Sequence, residues 1–167
     1  QGWLLLKKKK RLGNRWLRKY LLSSYQSYLC NRYLVKRIEK GLFDKMVHGD
    51  IAKKHETGGL FWVEDLETDQ GRFDSKEISF TAPMFGYKMS KPKEESMALE
   101  EEILVEMNLD VQEFRAQRVK GTRRMGRVLP EITVSDHTEG IQLEFALPKG
   151  GFATTLLREF RKIEPTD

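Results

Sequence analysis

The chain has 167 residues, of which 39% are hydrophobic and 33% are charged. This apolar share lets a soluble domain bury a core, and no apolar run approaches the roughly 18 residues that a membrane span needs. Lys and Arg number 30 against 25 Asp and Glu, a net charge of +5 that favours a polyanion as partner. Since the single cysteine, Cys30, excludes an internal disulfide and no secretory signal is visible, we expect a cytoplasmic protein without a membrane partner.

Basic residues fall into two blocks. Residues 1–40 contain twelve Lys and Arg and one acid, Glu39, whereas residues 94–113 contain eight acids and no Lys or Arg. A second basic block follows from Arg115 to Arg127. If both blocks fold onto one face, they form a surface for several phosphates; alternatively, residues 7–10 are a solvated tail and the arginines pair with the acidic segment. The candidate phosphate contacts are Arg15, Arg18, Lys19, Arg118, Lys120, Arg123, Arg124 and Arg127.

The first long element is a helix over residues 15–40. This segment has no Gly or Pro, and its apolar residues recur at steps of three and four, which is typical of one helix face. Gly41 should end the helix. Short strands are predicted at 50–54 and 60–64, joined by a Thr-Gly-Gly turn at 57–59.

One more short strand precedes the helices in the middle of the chain. Residues 78–80 favour a strand that stops at Pro83, because proline lacks the amide hydrogen needed for strand pairing. Pro92 then opens a helix with acidic residues in its first turn, where carboxylates suit the positive end of the helix dipole. This helix should run to about Asn108, and residues 111–118 should form a second helical segment.

The last third of the chain predicts a β-hairpin and a closing helix. Apolar and polar residues alternate at 132–134 and 141–147, which is typical of two half-buried strands, here joined by a turn at 137–140. Between Phe152 and Ile163, apolar residues fall on one helix face. Because β-α repeats are absent, the fold class is α+β, with short antiparallel strands and a β-hairpin followed by a C-terminal helix.

No sequence motif for a nucleotide, metal or serine-nucleophile site is visible. The three histidines, His48, His55 and His137, lie far apart beside turns, so no metal site is predicted. Glycine pairs at 58–59 and 150–151 are interpreted as turns rather than as phosphate loops. The residues alone therefore indicate a basic, nucleic-acid-binding α+β domain.

Five short strings carry further information through their order along the chain. They are residues 21–31 with Arg37-Ile38, Val47-His48-Gly49-Asp50, Thr81-Ala82-Pro83-Met84-Phe85-Gly86, Gly121-Thr122-Arg123-Arg124 and residues 143–159. In this order they resemble motifs of the TruD family of tRNA pseudouridine synthases, the fourth at the site of a basic turn. The last string is the most specific, since it is similar to the family's terminal strand, its Leu-Pro-x-Gly-Ser-Phe/Tyr-Ala-Thr segment and its Leu-Arg-Glu.

The resemblance implies isomerisation of a uridine in tRNA to pseudouridine, without a cofactor or a metal. An aspartate attacks the nucleoside, the glycosidic bond breaks, and the freed uracil turns and rejoins through carbon. The target base must leave its stack to be reached. The resemblance further implies that residues 1–126 are the family-specific insertion (TRUD) domain, which helps clamp RNA. Residues 127–167 are then the C-terminal portion of the catalytic domain.

Two family strings have no counterpart in the chain. They are the nucleophile string, Gly-x-Lys-Asp-x-x-Ala-x-Thr-x-Gln, and the Asn-Tyr-Phe-Gly-x-Gln-Arg-Phe-Gly string. Both precede the first helix in the family, so we expect the catalytic aspartate in a remainder of the same polypeptide. Residues 1–14 match no family motif, which leaves their path open.

Three residues near the end of the chain are candidate site residues. Arg158 holds the Leu-Arg-Glu position, where the resemblance implies an arginine that keeps the catalytic aspartate ionised and oriented. From the residues alone, Arg158 would be a surface arginine. Phe152 and Thr154 are candidate contacts to substrate RNA, although an aromatic residue that starts a helix is more often core than stacking platform.

Two other functions stay open. The chain could be a stand-alone basic RNA-binding module without catalysis. It could also be an interaction protein whose acidic and basic helices meet oppositely charged partners. A catalytic segment elsewhere in the polypeptide would decide between the synthase and the RNA-binding module.

Overall fold

The structure is a computed structural model that describes residues 1–148 and 150–161. The chain divides between Gly126 and Arg127 into two compact units, called here the first and the second unit. In the described part of the chain, helices and antiparallel strands follow one another without β-α repeats, which confirms the α+β prediction. Within the described ranges, no helix is both long and apolar enough to cross a membrane.

The helices of the first unit are α1 (Gly2–Leu6), α2 (Arg15–Glu39), α3 (Leu66–Asp74), α4 (Glu94–Glu106) and α5 (Val111–Ala116). Its strands are β1 (Ile51–Lys54), β2 (Leu60–Trp62), β3 (Ile78–Met84) and β4 (Thr122–Met125). The second unit contains β5 (Ile132–His137), β6 (Gly140–Phe145) and α6 (Ala153–Arg161).

The four strands of the first unit form an antiparallel sheet in the order β2-β1-β3-β4. Ala52 of β1 lies opposite Phe80 of β3, and Ala82 of β3 lies opposite Arg124 of β4. All seven residues of β3 are buried, because β1 and β4 flank the strand while α2 and α3 contact it. Burial of this apolar surface is the main driving force for folding of the unit.

Helix α2 confirms the prediction for residues 15–40 to within one residue. The side chain of Asn14 accepts a hydrogen bond from the Leu17 amide at 2.9 Å, which caps the first turn. Gly41 follows the helix with φ of +65°, a conformation that favours glycine after a helix end. The helix buries Leu29, Cys30 and Tyr33 against the sheet, as its three-and-four spacing predicts.

A buried ion pair joins α2 to the loop that enters β1. Arg37 and Asp50 are both 0% exposed, and the guanidinium reaches both carboxylate oxygens at 2.9–3.0 Å. The carboxylate also accepts hydrogen bonds from the Val47 amide at 2.9 Å and from the Ser96 hydroxyl of α4 at 2.7 Å. Two strings singled out in the sequence, Arg37-Ile38 and the one ending in Asp50, therefore meet in the core.

The remaining donors of Arg37 are satisfied by its surroundings. The guanidinium donates to the Leu42 carbonyl at 3.0 Å, to the Lys45 carbonyl, and to the Tyr33 hydroxyl at 3.0 Å. It also lies over the Phe80 ring, 3.8 Å from the centroid. A buried charge with this many partners fixes the helix, the following loop and the sheet in one arrangement.

Gly49 lets the loop before Asp50 come close to the start of α4. Its φ is +77°, and an added Cβ would lie 2.1 Å from the Lys93 carbonyl oxygen. Two backbone hydrogen bonds join the segments there, since the Lys93 amide donates to the Gly49 carbonyl and the Ser96 amide donates to the His48 carbonyl. Any side chain at residue 49 would push α4 away from the ion pair.

Two predictions for the sheet are wrong. Strand β3 does not stop at Pro83 but continues to Met84, with Pro83 opposite Arg123 of β4. Because β1 pairs only with residues 78–80, Pro83 has a strand neighbour on one side and needs no amide on the other. The predicted basic turn at 121–124 is instead mostly strand β4. Its four residues carry two arginines, which conceal the strand pattern.

The structure also contains helices that the sequence pattern does not predict. Helix α3 is polar along most of its length, and it starts where the Asp65 carboxylate caps the Thr68 amide at 3.1 Å. Helix α1 belongs to the segment without family motifs, yet Leu5 and Leu6 are buried in the core. Its five residues are too few to be stable alone, so packing against α2 and α5 maintains it.

The second unit confirms the predicted β-hairpin and closing helix. Strands β5 and β6 pair along their whole length, from Ile132 opposite Phe145 to His137 opposite Gly140. Apolar side chains remain exposed, however, including Val134 at 59% and Ile141 at 71%, so the strands are less buried than their alternation predicts. Helix α6 has no buried residue among those described, and Ile163 lies outside the described residues.

Replacing Arg37 should strongly destabilise the first unit. We expect Arg37→Ala to lower the free energy of unfolding by about 3–5 kcal/mol, because it leaves the Asp50 carboxylate buried without its partner. Arg32→Ala is the matched control on the same helix, since its ion pair with Glu106 spans 3.5 Å and is partly exposed. The control should change stability by less than about 1 kcal/mol. Urea denaturation followed by circular dichroism measures the free energy of unfolding of both variants. If the two substitutions lower it equally, the buried ion pair contributes no more than the exposed one.

Candidate nucleic-acid interface

A groove of about 900 Å³ runs between the start of α2 and the segment that connects α5 to β4. Both sides of this groove belong to the first unit. The basic side chains that line it are Arg15, Arg18, Lys19, Arg118 and Lys120. We call this feature the basic groove. It brings together five of the eight basic residues that the sequence nominates as phosphate contacts, from blocks about 100 residues apart in the chain.

One side of the basic groove is the first half of α2. Residues 15, 18, 19, 22 and 26 recur at helical steps of three and four, so they share one face and all line the groove. Gln26 closes one end by donating to the Phe85 carbonyl at 2.7 Å. The sequence does not single out Gln26 as a groove residue, because an uncharged side chain on an amphipathic helix carries no distinctive signal.

The opposite side, residues 116–121, is called here the groove wall. Helix α5 begins at a capping box formed by Asp110 and Glu113 and ends at Ala116, with Gln117 as its C-cap. Arg118 follows with φ of +57°, which turns the chain away from the helix axis. The Gln117 side chain then holds the wall in place, because it accepts a hydrogen bond from Arg18 and donates to the Leu5 carbonyl at 2.7 Å.

Two glycines from the family-like strings hold the far end of the groove wall. An added Cβ on Gly86 would lie 2.2 Å from the Gly121 nitrogen, so the two backbones touch at this point. The Tyr87 amide donates to the Val119 carbonyl at 3.1 Å, and the Lys88 amide donates to the Lys120 carbonyl at 2.8 Å. The string that ends at Gly86 and the string that begins at Gly121 therefore contact each other, and both act on the shape of the basic groove.

The acidic helix α4 neutralises positive charge in the second half of α2 but not in the first half. Glu102 forms ion pairs with Lys36 at 3.0 Å and with Lys40 at 2.8 Å, and Glu106 pairs with Lys36 and Arg32. The basic residues of helix α2 therefore fall into two groups. Its last turns are neutralised by α4, while its first turns face the basic groove. Residues 7–10 are likewise not a free tail throughout, since Lys7 pairs with Glu113 at 2.8 Å.

Arg123 lies in the core rather than on the basic surface. Its side chain is 2% exposed and forms an ion pair with Glu100 of α4 at 2.6 Å. It also donates to the Thr81 hydroxyl at 2.9 Å and to the Thr81 carbonyl at 3.0 Å. A guanidinium held in this way is unavailable to phosphate, so its burial argues against the predicted RNA contact and favours a structural role.

The other nominated residues lie outside the basic groove. Arg124 is exposed on β4 of the first unit, and Arg127 is half-buried at the start of the second. Phe152, Thr154 and Arg158 are exposed at or within α6, with Phe152 at 71%. Within residues 1–148 and 150–161, no three His, Cys, Asp or Glu side chains are grouped as metal ligands.

Comparisons with known proteins agree with this architecture. A family model described as tRNA pseudouridine synthase D (TruD) matches residues 11–160. A tRNA pseudouridine synthase D of Thermus thermophilus is 45% identical over 168 residues, which cover 100% of this chain and 46% of that protein. One from Geotalea daltonii is 41% identical over 150 residues, covering 87% of this chain and 37% of that protein.

A solved structure shows the same fold. It is the crystal structure of a tRNA pseudouridine synthase D (TruD) protein from Methanosarcina mazei, with a TM-score of 0.70 and 28% identity. The match covers 88% of this chain and 38% of that chain. The chain thus spans about half the length, or less, of the relatives that it matches.

The fold and the matches define the class as the pseudouridine synthases. The match over residues 11–160 and the identity to the Thermus protein are more specific than this class. The chain belongs to the TruD family of tRNA pseudouridine synthases. The resemblance drawn from the five strings is therefore confirmed.

The buried carboxyl of Glu100 should make stability depend on pH. Burial raises the pKa of Glu100 from 4.5 to about 7, against the opposing effect of Arg123. The folded state therefore binds more protons than the unfolded state between pH 4.5 and about 7, and the contribution of Glu100 to the free energy of unfolding falls as the pH rises through this range. We expect Glu100→Gln to flatten this slope in urea denaturation measured from pH 4.5 to 8.

Glu102→Gln on the same helix is the control. Lys40 and Lys36 lower the pKa of Glu102 below 4.5, so its contribution is lost only as the pH falls below that range. The control should keep the wild-type slope above pH 4.5. A slope that survives in Glu100→Gln would show that another group causes it.

Proposed function

We propose that this chain is the RNA-binding part and the C-terminal part of an enzyme that isomerises a uridine in tRNA to pseudouridine. The observation that carries the proposal is the convergence of five basic side chains on one groove in a chain of the TruD family. Phosphates of a folded RNA fit a groove of this charge, and such contacts position the RNA without reading its sequence. Since tRNA is the proposed substrate, we place the activity in the cytoplasm.

The proposed reaction is an isomerisation that needs no cofactor and no external oxidant. An aspartate carboxylate attacks the nucleoside, and the bond between the sugar and the uracil nitrogen breaks. The freed uracil rotates and forms a new bond from carbon to the same sugar, and the bond to the aspartate breaks. The uracil carbon loses its proton and the former glycosidic nitrogen gains one, so uridine and pseudouridine have the same atoms. We assign the aspartate to the remainder of the same polypeptide, because no Asp of this chain lies in a Gly-x-Lys-Asp string.

We assign different tasks to the two units. Residues 1–126 would be the insertion domain that clamps RNA, and residues 127–167 would complete the catalytic domain. The surface of the second unit supports this division. Described apolar side chains such as Phe152 at 71%, Phe160 at 51% and Ile141 at 71% are exposed, although α6 has the apolar stripe of a helix that packs against another element. The remainder of the polypeptide is the proposed cover.

Arg158 is the residue that we propose as the partner of the catalytic aspartate. It is exposed on α6, so its guanidinium is available to a group outside the described chain. A bidentate contact would keep the carboxylate ionised and aimed at the sugar, which is what a nucleophile requires. Phe152 and Thr154, at the start of the same helix, remain proposed substrate contacts. Arg124 and Arg127 remain proposed RNA contacts outside the groove.

A non-catalytic RNA-binding module is the second candidate function. It is favoured by one observation, namely that the basic groove is formed entirely within residues 1–126 and needs no other chain. The two candidates differ in what the complete polypeptide does. Only the first predicts turnover when the remainder is present.

Binding of tRNA by this chain should depend steeply on salt. We expect Arg15→Ala, Lys19→Ala and Lys120→Ala each to weaken tRNA binding and to reduce the slope of log affinity against log salt by roughly 0.7–1, because each removes about one phosphate contact. Lys54→Ala, an exposed lysine at the end of β1 and outside the groove, is the matched control. Filter binding between about 50 and 200 mM salt measures the slopes. Unchanged slopes for the groove variants would place the RNA elsewhere.

The 167-residue chain should bind tRNA without isomerising it. The complete polypeptide should do both, because the proposed nucleophile acts only as a unit with its partners. A tritium-release assay on tRNA checks both proteins. Turnover by the isolated chain would contradict the assignment of the aspartate, whereas binding without turnover by the complete polypeptide would favour the non-catalytic module.

Arg158→Lys should impair the chemical step of the complete polypeptide. We expect turnover to fall by about an order of magnitude or more with little change in tRNA affinity, since an ammonium cannot reproduce the fork of a guanidinium on a carboxylate. Arg161→Lys, on the same helix, is the control and should leave both quantities unchanged. If Arg158→Lys weakens binding and turnover in proportion, Arg158 is only a phosphate contact.

A further inference from the structure

Two large aromatic side chains stack on the surface of α2. The rings of Trp16 and Tyr20 are nearly parallel, with an interplanar angle of 8° and centroids 5.5 Å apart. Trp16 is 71% exposed and Tyr20 is 56% exposed, so much of each ring remains in contact with solvent. Two such side chains side by side form an apolar patch that the fold of the first unit does not bury.

The aromatic pair lies directly beside the basic groove. Arg15 and Lys19, which line the groove, each precede one ring in the sequence. Ser23, another lining residue, lies three residues after Tyr20 and thus on the adjoining strip of the helix surface. The rings therefore form the rim of the groove, with cationic and polar side chains on the groove side.

A second stacked pair on the same helix differs from the rim pair, because one of its two rings packs against the core. Tyr25 and Tyr28 also stack, with centroids 5.8 Å apart. Tyr25, however, is packed against the hydrophobic core, and burial raises its pKa to about 12. Tyr25 thus contributes to packing while Tyr28 is 47% exposed, whereas both rings of the Trp16–Tyr20 pair are exposed next to groove cations.

We propose that Trp16 and Tyr20 form a stacking platform for an unpaired base of the RNA whose backbone occupies the basic groove. The inference rests on the proposed RNA-binding function of that groove. A flat apolar surface next to cations matches a single-stranded polynucleotide, which presents a π-face and a phosphate at every step. An apolar protein segment would match the rings but not the charges of Arg15 and Lys19 beside them.

The platform gives the groove a contact that phosphate binding lacks. Phosphate contacts treat paired and unpaired RNA alike, whereas a ring can stack only on a base that has left its helix. The pair would therefore favour RNA with a displaced base near the groove. Stacking on an aromatic side chain contributes about 5- to 150-fold in affinity per base.

The test compares two ligands of equal length and charge. One is a ten-nucleotide uridine RNA, and the other is the same backbone with abasic sugars. We expect Trp16→Ala in the 167-residue chain to weaken binding of the uridine RNA by about 5- to 150-fold and to leave binding of the abasic strand unchanged. Trp16→Phe should retain most of the affinity, because it keeps an aromatic ring. Trp62→Ala, at a tryptophan that is 45% exposed on β2, is the matched control.

The groove variants separate failure of the platform from failure of the proposed function. If Arg15→Ala and Lys19→Ala reduce the salt slope but Trp16→Ala leaves uridine binding unchanged, the platform is wrong while the groove stands. If Trp16→Ala weakens both ligands equally, the ring has no preference for a base and the platform is again wrong. If neither class of variant has an effect, the proposed function of the groove fails.

Quenching of Trp16 fluorescence in the complete polypeptide shows whether an RNA base or another part of the protein covers the rings. In a Trp3→Phe, Trp62→Phe background, Trp16 is the tryptophan that remains within residues 1–167; tryptophans in the remainder are replaced as well. We expect acrylamide to quench its fluorescence freely without RNA and much less with bound uridine RNA. Protection in the absence of RNA would show that the remainder of the polypeptide covers the rings, which would overturn the proposal.

Discussion

The carboxylate of Asp50 organises the first unit because several separate parts of the chain bind to it or to its partner. Arg37 comes from α2, Val47 from the loop before β1, and Ser96 from α4. A charge that is 0% exposed is stable only while all of these groups stay in place. The direction of α2, the closeness of α4 and the entry of the chain into the sheet are therefore set together. The basic groove lies about three to six turns away on the same α2 and takes its geometry from this fixed helix.

The acidic helix α4 has two electrostatic tasks, one at the surface and one in the core. At the surface, Glu102 and Glu106 neutralise the last turns of α2. In the core, Glu100 balances Arg123 beneath the sheet. Positive charge is thus left unopposed by α4 mainly at the start of α2, which is where the groove opens. The acids of α4 neutralise some of the basic residues, so the remaining positive charge is concentrated at the groove.

Some elements of the fold are predictable from the sequence and others are not. Helix α2 and the hairpin β5–β6 follow from periodicity because their apolar residues repeat at the spacing of one element. Strand β4 does not, because one of its arginines turns inward to a buried acid on α4, a pairing that no local pattern reveals. For the same reason Arg123 resembles a surface cation in the sequence. The groove residues from both basic blocks were identifiable from charge, but Gln26 and Gln117 depend on tertiary contacts that only the fold supplies.

The first ten residues show how far the groove reaches into the fold. The Trp3 indole donates to the Met107 carbonyl at 3.1 Å, and the Leu5 carbonyl accepts from Gln117 of the groove wall, which also receives Arg18. A five-residue helix cannot persist by itself, so α1 depends on packing against α2 and α5, and Gln117 adds a hydrogen bond that links α1 to the groove wall. Because Gln117 joins α1 to the groove wall, we expect local unfolding of α1 to loosen the wall as well. A ligand that spans the groove from α2 to the wall would, by the same linkage, stabilise α1 without touching it.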